Sequence, residues 1–423
     1  MLEKIIKLLK LFIFLFVYFF KNFFKKREQV ILFAGAVSGS SFPIARRLYK
    51  LGYSIVLVSP TKKLPEYFLS KSHIVADYND SNVVNDIYAQ VCNMELIGVL
   101  VGSGEQYLPF ASKLAQKLDL VSIDFEAAKA STDKSYVVAK LGNVNNKRVI
   151  DVQTETGKLK DCTYEGILKP VDGAGNDGVV AFENGLQAYE YWIKKGSTKH
   201  CIYEEWIKGD QFDLEGVSFN GRHSVYAITL EKYKKYNIHR TSTHWFLFEP
   251  PIKEEIRQSL KVYAKKFLDA IGVTNGAWHI EMVRTKRGEI FWIDYANRIG
   301  GSFEEVMEYS SGIPFMTNYI ACMVGKPEEM TLAEKKNVLR FYIQNKEEED
   351  FFRDISVKYN CQIFYCTFLK GDDIFDRVGF IAMYEIHADS YKELISILRD
   401  VHNLESNQSV PFITDSIFAE SVL

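Results

Sequence analysis

Between Gln29 and Ser59 the chain shows two unbroken apolar runs, Val30–Ala34 and Ile55–Val58. The segment between them, "FPIARRLYKL", has apolar residues recurring every three or four positions. Continuous short runs predict buried strands and the helical spacing predicts an amphipathic helix, so the stretch reads as a parallel βαβ unit. "IGVLVGSGEQYLPFASKLAQKLDL" repeats the scheme, with Glu105 just past the carboxyl end of a strand, where open α/β sheets place ligands.

Beyond residue 120 the pattern changes. "EGILKPVDGAGNDGVVAF" predicts two strands joined by a glycine-rich turn. "HCIYEEWIKGDQFDLEGVSFNGRHSVYAI" predicts a strand, a turn at Lys208-Gly209-Asp210 and a paired set of strands. A helix fits Lys253 to Ala270, and "GAWHIEMVRT" and "GEIFWIDYAN" read as strands flanking a turn at Lys286-Arg287-Gly288. After about residue 330, short strands ("VLRFYIQ", "CQIFYCTFL", "RVGFIAMYEI") alternate with helices and carry no chemical motif. The predicted class is therefore mixed α/β and α+β. Its segments are a hydrophobic arm over 1–28, an N-terminal α/β domain over 29–120, a central domain over 121–330 and a small C-terminal α+β domain over 331–423.

Composition changes this picture in only two places. Lys and Arg number 52 against 54 Asp and Glu, a formal net charge of −2, so electrostatics gives no reason to expect a nucleic-acid partner, and no such motif is present. The six cysteines are scattered without CxxC spacing, which argues against a disulfide framework or structural zinc and for a reducing compartment. The arm is the exception to an ordinary globular composition. Leu11 to Phe20 is continuously apolar, Lys7, Lys10, Lys21, Lys25, Lys26 and Arg27 surround it, and no small-residue cleavage site follows. A helix that contacts membrane lipid is expected, spanning or lying flat, with the folded domains on the cytoplasmic face. Homo-oligomerisation is compatible with this composition.

Candidate chemistry gathers at "WIDYANRIGG", residues 292–301. Glu281 on one predicted strand and Asp294 on the next fall side by side across a hairpin, and two adjacent carboxylates suit a hard cation such as Mg²⁺, or Mn²⁺. Arg298 adds a planar donor fork for phosphoryl or carbonyl oxygens, and Gly300 and Gly301 let backbone approach an anion. The competing reading is a surface hairpin with two solvated acids. "LKPVDGAGNDG" places Lys169 at a strand end before Gly173, Gly175 and Gly178, whose backbone N–H groups suit phosphate oxygens; the plainer alternative is an Asp177-Gly178 hairpin turn. "YEEWIKG" sets Glu204 and Glu205 beside Trp206 and Ile207, an apolar edge with backbone groups suited to a purine. The turn Gly35–Ser41 has the look of a dinucleotide loop, but Ser59, Pro60, Lys62 and Lys63 occupy the positions where an acidic partner is expected, which favours plain turn chemistry. His239 and His244 read as structural histidines before they read as substrate contacts.

"TDKSYVVAKL", "ILKPVDGAGNDGVV", "YEEWIKGDQFDLEGV" and "WHIEMVRTKRGEIFWIDYANRIGG" occur in an order that resembles the ATP-grasp ligases, especially the carbamoyl-phosphate-synthase-like and amino-acid-ligase branches, over roughly Val30 to Gly325. The resemblance implies a pre-ATP-grasp N-terminal domain, a two-subdomain ATP-grasp fold, ATP as substrate and Mg²⁺ as metal. It implies that Lys134 and Lys169 bind the ATP phosphates and that the Gly173–Gly178 loop closes over the γ-phosphate. Glu204, Glu205 and Ile207 would line the adenine, chiefly through backbone. Gln211 stands where many members have a ribose-binding Glu. Glu281 and Asp294 would hold the metal, and Arg298 would meet the transferring phosphoryl group. Asp294 replaces the usual Glu, and Ala296 stands where many members have a metal-binding Asn, with Asn297 adjacent.

The activity so implied is carboxylate–amine ligation through an acylphosphate, with ADP and phosphate released, acting on a small-molecule carboxylate and amine; the arm points toward cell-surface or lipid-linked precursors. Two alternatives stay open. One is a non-catalytic ATP-binding protein at the membrane; the other is carboxyphosphate or carbamoyl-phosphate chemistry on bicarbonate.

Overall fold

The computed structural model describes residues 29–405, apart from 36–40, 62–64, 103, 145–146, 174–177, 238–239, 302, 328–335, 344–345, 360–361, 367–381 and 389. The apolar arm, most of the Gly35–Ser41 turn, Gly175 and His239 lie outside the described residues. Among the described residues, no helix is long and apolar enough to cross a membrane.

The first sheet takes β1 (Val30–Ala34), β2 (Ser54–Ser59), β3 (Ser72–Val75) and β4 (Leu96–Val101) in the order β3-β2-β1-β4, all parallel. Every residue of β1 and β2 is buried, as the unbroken apolar runs require when helices cover both faces. The helix Phe42–Leu51 crosses from β1 to β2 with Pro at its start and stops at Gly52, whose φ of 95° is a left-handed cap that an L side chain would resist. The turn at Glu105 and the helix Leu108–Lys117 follow β4.

A smaller antiparallel sheet contains β5 (Val149–Asp151), β6 (Gly166–Pro170), β7 (Val180–Phe182) and β8 (Cys201–Glu205) in the order β5-β8-β6-β7. The glycine-rich turn does join two paired strands, β6 and β7.

The largest sheet has eight strands, β9 (Asp210–Phe219), β10 (Arg222–Asn237), β11 (Arg240–Phe248), β12 (Gly276–Arg284), β13 (Ile290–Ala296), β14 (Asn337–Ile343), β15 (Gln362–Cys366) and β16 (Ala382–Ala388), in the order β13-β12-β9-β10-β11-β14-β16-β15. The helix Glu254–Ile271 lies on it. Its buried Ile256, Leu260, Ala264, Phe267, Leu268 and Ile271 form one face, Glu254 and Glu255 favour its N-terminal dipole, and Gly272 caps it. The strands beyond residue 330 extend this same sheet by pairing β14 to β11, so the C-terminal region shares its hydrogen-bond ladder with the central one.

The first sheet is not a loose appendage. The helices Glu304–Ser311 and Phe315–Met323 share a core with it. Arg47 reaches Glu308 at 2.5 Å, and the buried Tyr319 hydroxyl donates to the Val101 carbonyl at 3.2 Å.

Candidate active site

The β12–β13 hairpin turns at Gly288, where φ is +88°. Glu281 faces Asp294 across it. One step further Met282 faces Trp292, so Ile293 is the extra residue of a β-bulge. The bulge lets two sets of neighbours coexist. Ile280, Met282 and Trp292 fill the core on one face, while Glu281 and Asp294 are presented on the other. It also frees a carbonyl from the ladder: Lys169 Nζ donates to Ile293 O at 3.1 Å.

Lys169 stands on β6, so this bond ties the small sheet to the large one. Its ammonium also lies 2.9 Å from Glu204 Oε2. Lys147 comes to the same oxygen at 3.0 Å, donates to the Trp292 carbonyl at 2.8 Å and sits over the Trp292 ring. Burial works against each of these charges, and the partners decide the outcome. Glu204 and Asp294 outweigh it at Lys169, which is held above the ordinary lysine pKa. Burial wins at Lys147, where Glu204 pulls the other way and Lys169 repels, and its pKa falls to about 8. For Glu204, Lys147 and Lys169 overcome burial and keep the carboxylate below its usual range. Glu204 Oε1 remains buried without a hydrogen-bond partner among the described residues.

Lys134 opens the helix Lys134–Leu141 after the cap residue Asp133, which accepts from Tyr136 N. Its ammonium donates to Gly173 O at 2.7 Å and lies 3.4 Å from Asp294 Oδ1. Asp294 titrates low because Lys134 and Lys169 outweigh its burial. The structure thus brings Lys134, Lys169, Glu204, Glu281 and Asp294 to one cleft between the two antiparallel sheets. Gly173 is held by Lys134, and Gly178, at φ +75°, returns the loop to β7. Glu205 turns outward to a two-pronged pair with Arg148, at 2.8 and 2.7 Å, and Ile207 follows it at the edge. Gln211 Nε2 donates to Glu231 at 2.6 Å and to Glu281 at 3.4 Å.

Arg298 is largely buried, its Nε 2.7 Å from Glu105 Oε2. The acid picked out at the end of β4 therefore meets the arginine picked out after β13. Asn297 does not stand in for the missing metal-binding Asn. Its side chain is buried and donates to Ala277 O at 2.7 Å, because one step along the strand turns it to the face opposite Asp294. Gly300 packs against protein, not open space. A Cβ there would come 2.2 Å from Glu215 Oε1, and its N–H donates to Glu215 Oε2 at 3.2 Å. A Cβ on Gly301 would meet nothing within 4 Å.

Sequence reasoning missed several charged groups. Lys147 carries no motif. Asp213, Glu215 and Glu231 alternate with apolar residues on β9 and β10 and face the cleft only because β9 inserts between β12 and β10. His279 sits 2.5 Å from Glu215 Oε1 and 3.4 Å from Glu281 Oε1; Glu215 overcomes burial and raises it well above the usual histidine range. Asp213 is pushed well above the carboxylate range by burial, with Glu231 and Glu281 adding repulsion. The one available signal was the alternation "DLE" in "QFDLEGV", which places Asp213 and Glu215 on one face of a strand.

Residues 162–305 of the chain match the family model of the ATP-grasp domain. Among individual proteins it is similar to dapdiamide A synthase of Enterobacter agglomerans, 25% identical over 65% of this chain and 68% of that one. It is also similar to alanine–anticapsin ligase of Bacillus subtilis, 21% identical over 56% of this chain and 54% of that protein. Among solved structures, an L-amino acid ligase from Bacillus licheniformis superposes with a TM-score of 0.69 at 18% identity, covering 89% of this chain and 98% of the other. The N5-carboxyaminoimidazole ribonucleotide synthetase purK superposes with a TM-score of 0.67 at 17% identity, covering 90% and 98%.

Proposed function

We propose that this protein is an ATP-dependent carboxylate–amine ligase that works through an acylphosphate. The observation that carries the reading is the convergence of Lys134, Lys169, Glu281 and Asp294 on one cleft, with Arg298 paired to Glu105. Lys134 and Lys169, ammonium groups fixed by carbonyls and carboxylates of the protein, offer positive charge to the phosphates of ATP. The orphan Glu204 Oε1 is a buried acceptor for the amino group of adenine, and the backbone near Ile207 completes that edge. Gln211, already engaged by Glu231 and Glu281, is the ribose-side residue.

Glu281 and Asp294 fit a divalent cation: two carboxylates opposed across a hairpin, with the Asp294 side chain 35% exposed toward the cleft. Bound there, Mg²⁺ would supply neutralisation of the triphosphate oxygens. The absence of an Asn at 296 leaves one oxygen ligand fewer, and Asn297 is turned away. In the transfer, the substrate carboxylate oxygen attacks the γ-phosphorus and the bond to the β-phosphate oxygen breaks, leaving ADP. Arg298 is the donor placed to hold phosphoryl or carbonyl oxygens there. The amine nitrogen then attacks the acyl carbon, phosphate departs, and the ammonium proton passes to solvent. No side-chain nucleophile is needed, so positioning and electrostatics carry the catalysis. The relatives named as ligases for alanine and anticapsin and for L-amino acids point to an amino acid as one substrate. The arm's sequence supports placement at a membrane surface, where the second substrate would be met.

The test is product analysis. The full-length protein is given MgATP with pooled amino acids, amines and uronic acids, beside Asp294→Asn. ADP whose release depends on the pool and disappears in the variant is expected. AMP would assign adenylation and defeat the reading, and ADP released by bicarbonate alone would assign carboxyphosphate chemistry instead.

A further inference from the structure

The cleft holds more carboxylate than a single metal position uses. Asp294, Glu281 and Asp213 are consecutive register partners across β13, β12 and β9. Glu231 pairs with Gln211, two residues from Asp213 on the same face of β9, and extends the row onto β10. One carboxylate oxygen each from Asp213, Glu231 and Glu281 lies within 4.8 Å of the other two. Two of the three residues are buried.

Among the described residues, the cations placed closest are shared with other groups, and His279, 3.4 Å from Glu281, is the one that also touches the trio. Lys134 serves Gly173 and Asp294, Lys169 serves Glu204 and Ile293, and His279 is drawn closest to Glu215. Gln211 brings an amide to Glu231 and Glu281 but no charge. A separate observation points to a missing partner. Asp213 is 1% exposed, and its Oδ1 is buried with no hydrogen-bond partner among the described residues. A buried acceptor without a donor costs about 1–3 kcal/mol, more for a charged group, so sequences do not keep one without a reason.

We propose that Asp213, Glu231 and Glu281 form an inner site for a hard divalent cation of the Mg²⁺ or Mn²⁺ class, with Glu281 shared between it and the Asp294 position. Carboxylate oxygens at about 2.1 Å from such an ion stand about 3 Å apart when adjacent and about 4.2 Å when opposite, so the trio draws in by up to roughly 2 Å to take it. Every protein ligand of the inner site is on a strand of the large sheet, held by register and not by a mobile loop. It therefore binds its ion without nucleotide, whereas the Asp294 position is completed by triphosphate. The inner site does not depend on the ligase reading: it would stand if the protein bound ATP without turning it over.

Mn²⁺ is titrated into metal-stripped, nucleotide-free full-length protein and followed by calorimetry and electron paramagnetic resonance. The wild type is expected to bind one tight ion. Asp213→Asn and Glu231→Gln weaken it by at least about tenfold, whereas Asp294→Asn changes it by less than about threefold. Thermal melts guard against misfolding. Without metal, Asp213→Asn melts at or above the wild type, because a buried acid crowded by other acids is gone, and MnCl₂ raises the melting temperature of the wild type and Asp294→Asn but not that of Asp213→Asn or Glu231→Gln. If Asp213→Asn fails to fold, Glu231→Gln decides alone. Unchanged Mn²⁺ binding in these variants, loss confined to Asp294→Asn, or no binding by the nucleotide-free wild type each overturn the proposal.

Discussion

Lys134, Lys147 and Lys169 all end inside the protein, which lysine seldom does unless its charge is answered. Here the answer is local: Glu204 lies between two of them and Asp294 beside the third. Glu304 shows the opposite condition. It begins a helix, is buried, and has Oε1 without a hydrogen-bond partner among the described residues. Burial raises its pKa to about 8, with Glu215 adding repulsion and Arg298 and Arg340 only partly offsetting it. The folded protein thus binds a proton at this group that the unfolded chain, near 4.5, releases. Its contribution to stability is full below the unfolded value and declines as pH rises toward about 8. Glu304→Gln, which cannot ionise, should melt higher than the wild type at alkaline pH and lose less stability between about pH 6 and about pH 9. Parallel melting curves for the two proteins across that range would contradict the assignment. Nothing in the sequence announced Glu304 or Lys147, because their environments come from residues far along the chain.

At the scale of elements, much was legible. Unbroken apolar runs, the 3.6-residue spacing of Ile256 to Ile271 and the Gly288 turn each predict the element found there. Glu281 and Asp294 could be paired by reading a hairpin, since hairpin partners are close in sequence. The bulge at Ile293 was not legible. An alternation broken at "WID" says that something irregular occurs, not which carbonyl it frees. Pairing of β12 with β9 was not legible either, because the partners lie about sixty residues apart and another hairpin intervenes, and with it went Asp213 and Glu231. That pairing depends on a close approach. Gly216 on β9 lies opposite Trp278, and a Cβ there would come 2.1 Å from Ser224 O and 2.2 Å from the Trp278 ring. Gly216→Ala should therefore force the strands apart and cost about 1–3 kcal/mol in denaturant unfolding. A loss near zero would mean that the β9–β10–β12 junction yields more readily than its contacts indicate.

At the scale of the molecule, the cleft is where three sheets meet. The small sheet brings Lys169 and Glu204, the large one brings Glu281 and Asp294, and the first sheet sends Glu105 to Arg298. Length and pattern suggested separate domains, and the shared core between the first sheet and the helices Glu304–Ser311 and Phe315–Met323 shows how closely two of them are joined. The arm over residues 1–28 lies outside the described residues, so the membrane placement proposed for it rests on its sequence alone. What this assembly is proposed to make is an acylphosphate, and oxygen isotopes trace that bond directly. Amino acids bearing ¹⁸O in their carboxyl groups are supplied with MgATP, an amine pool and the full-length protein, and the released phosphate is analysed by mass. One ¹⁸O atom in each phosphate formed is predicted. Label carried into AMP, or phosphate released in step with product but free of label, would contradict the account.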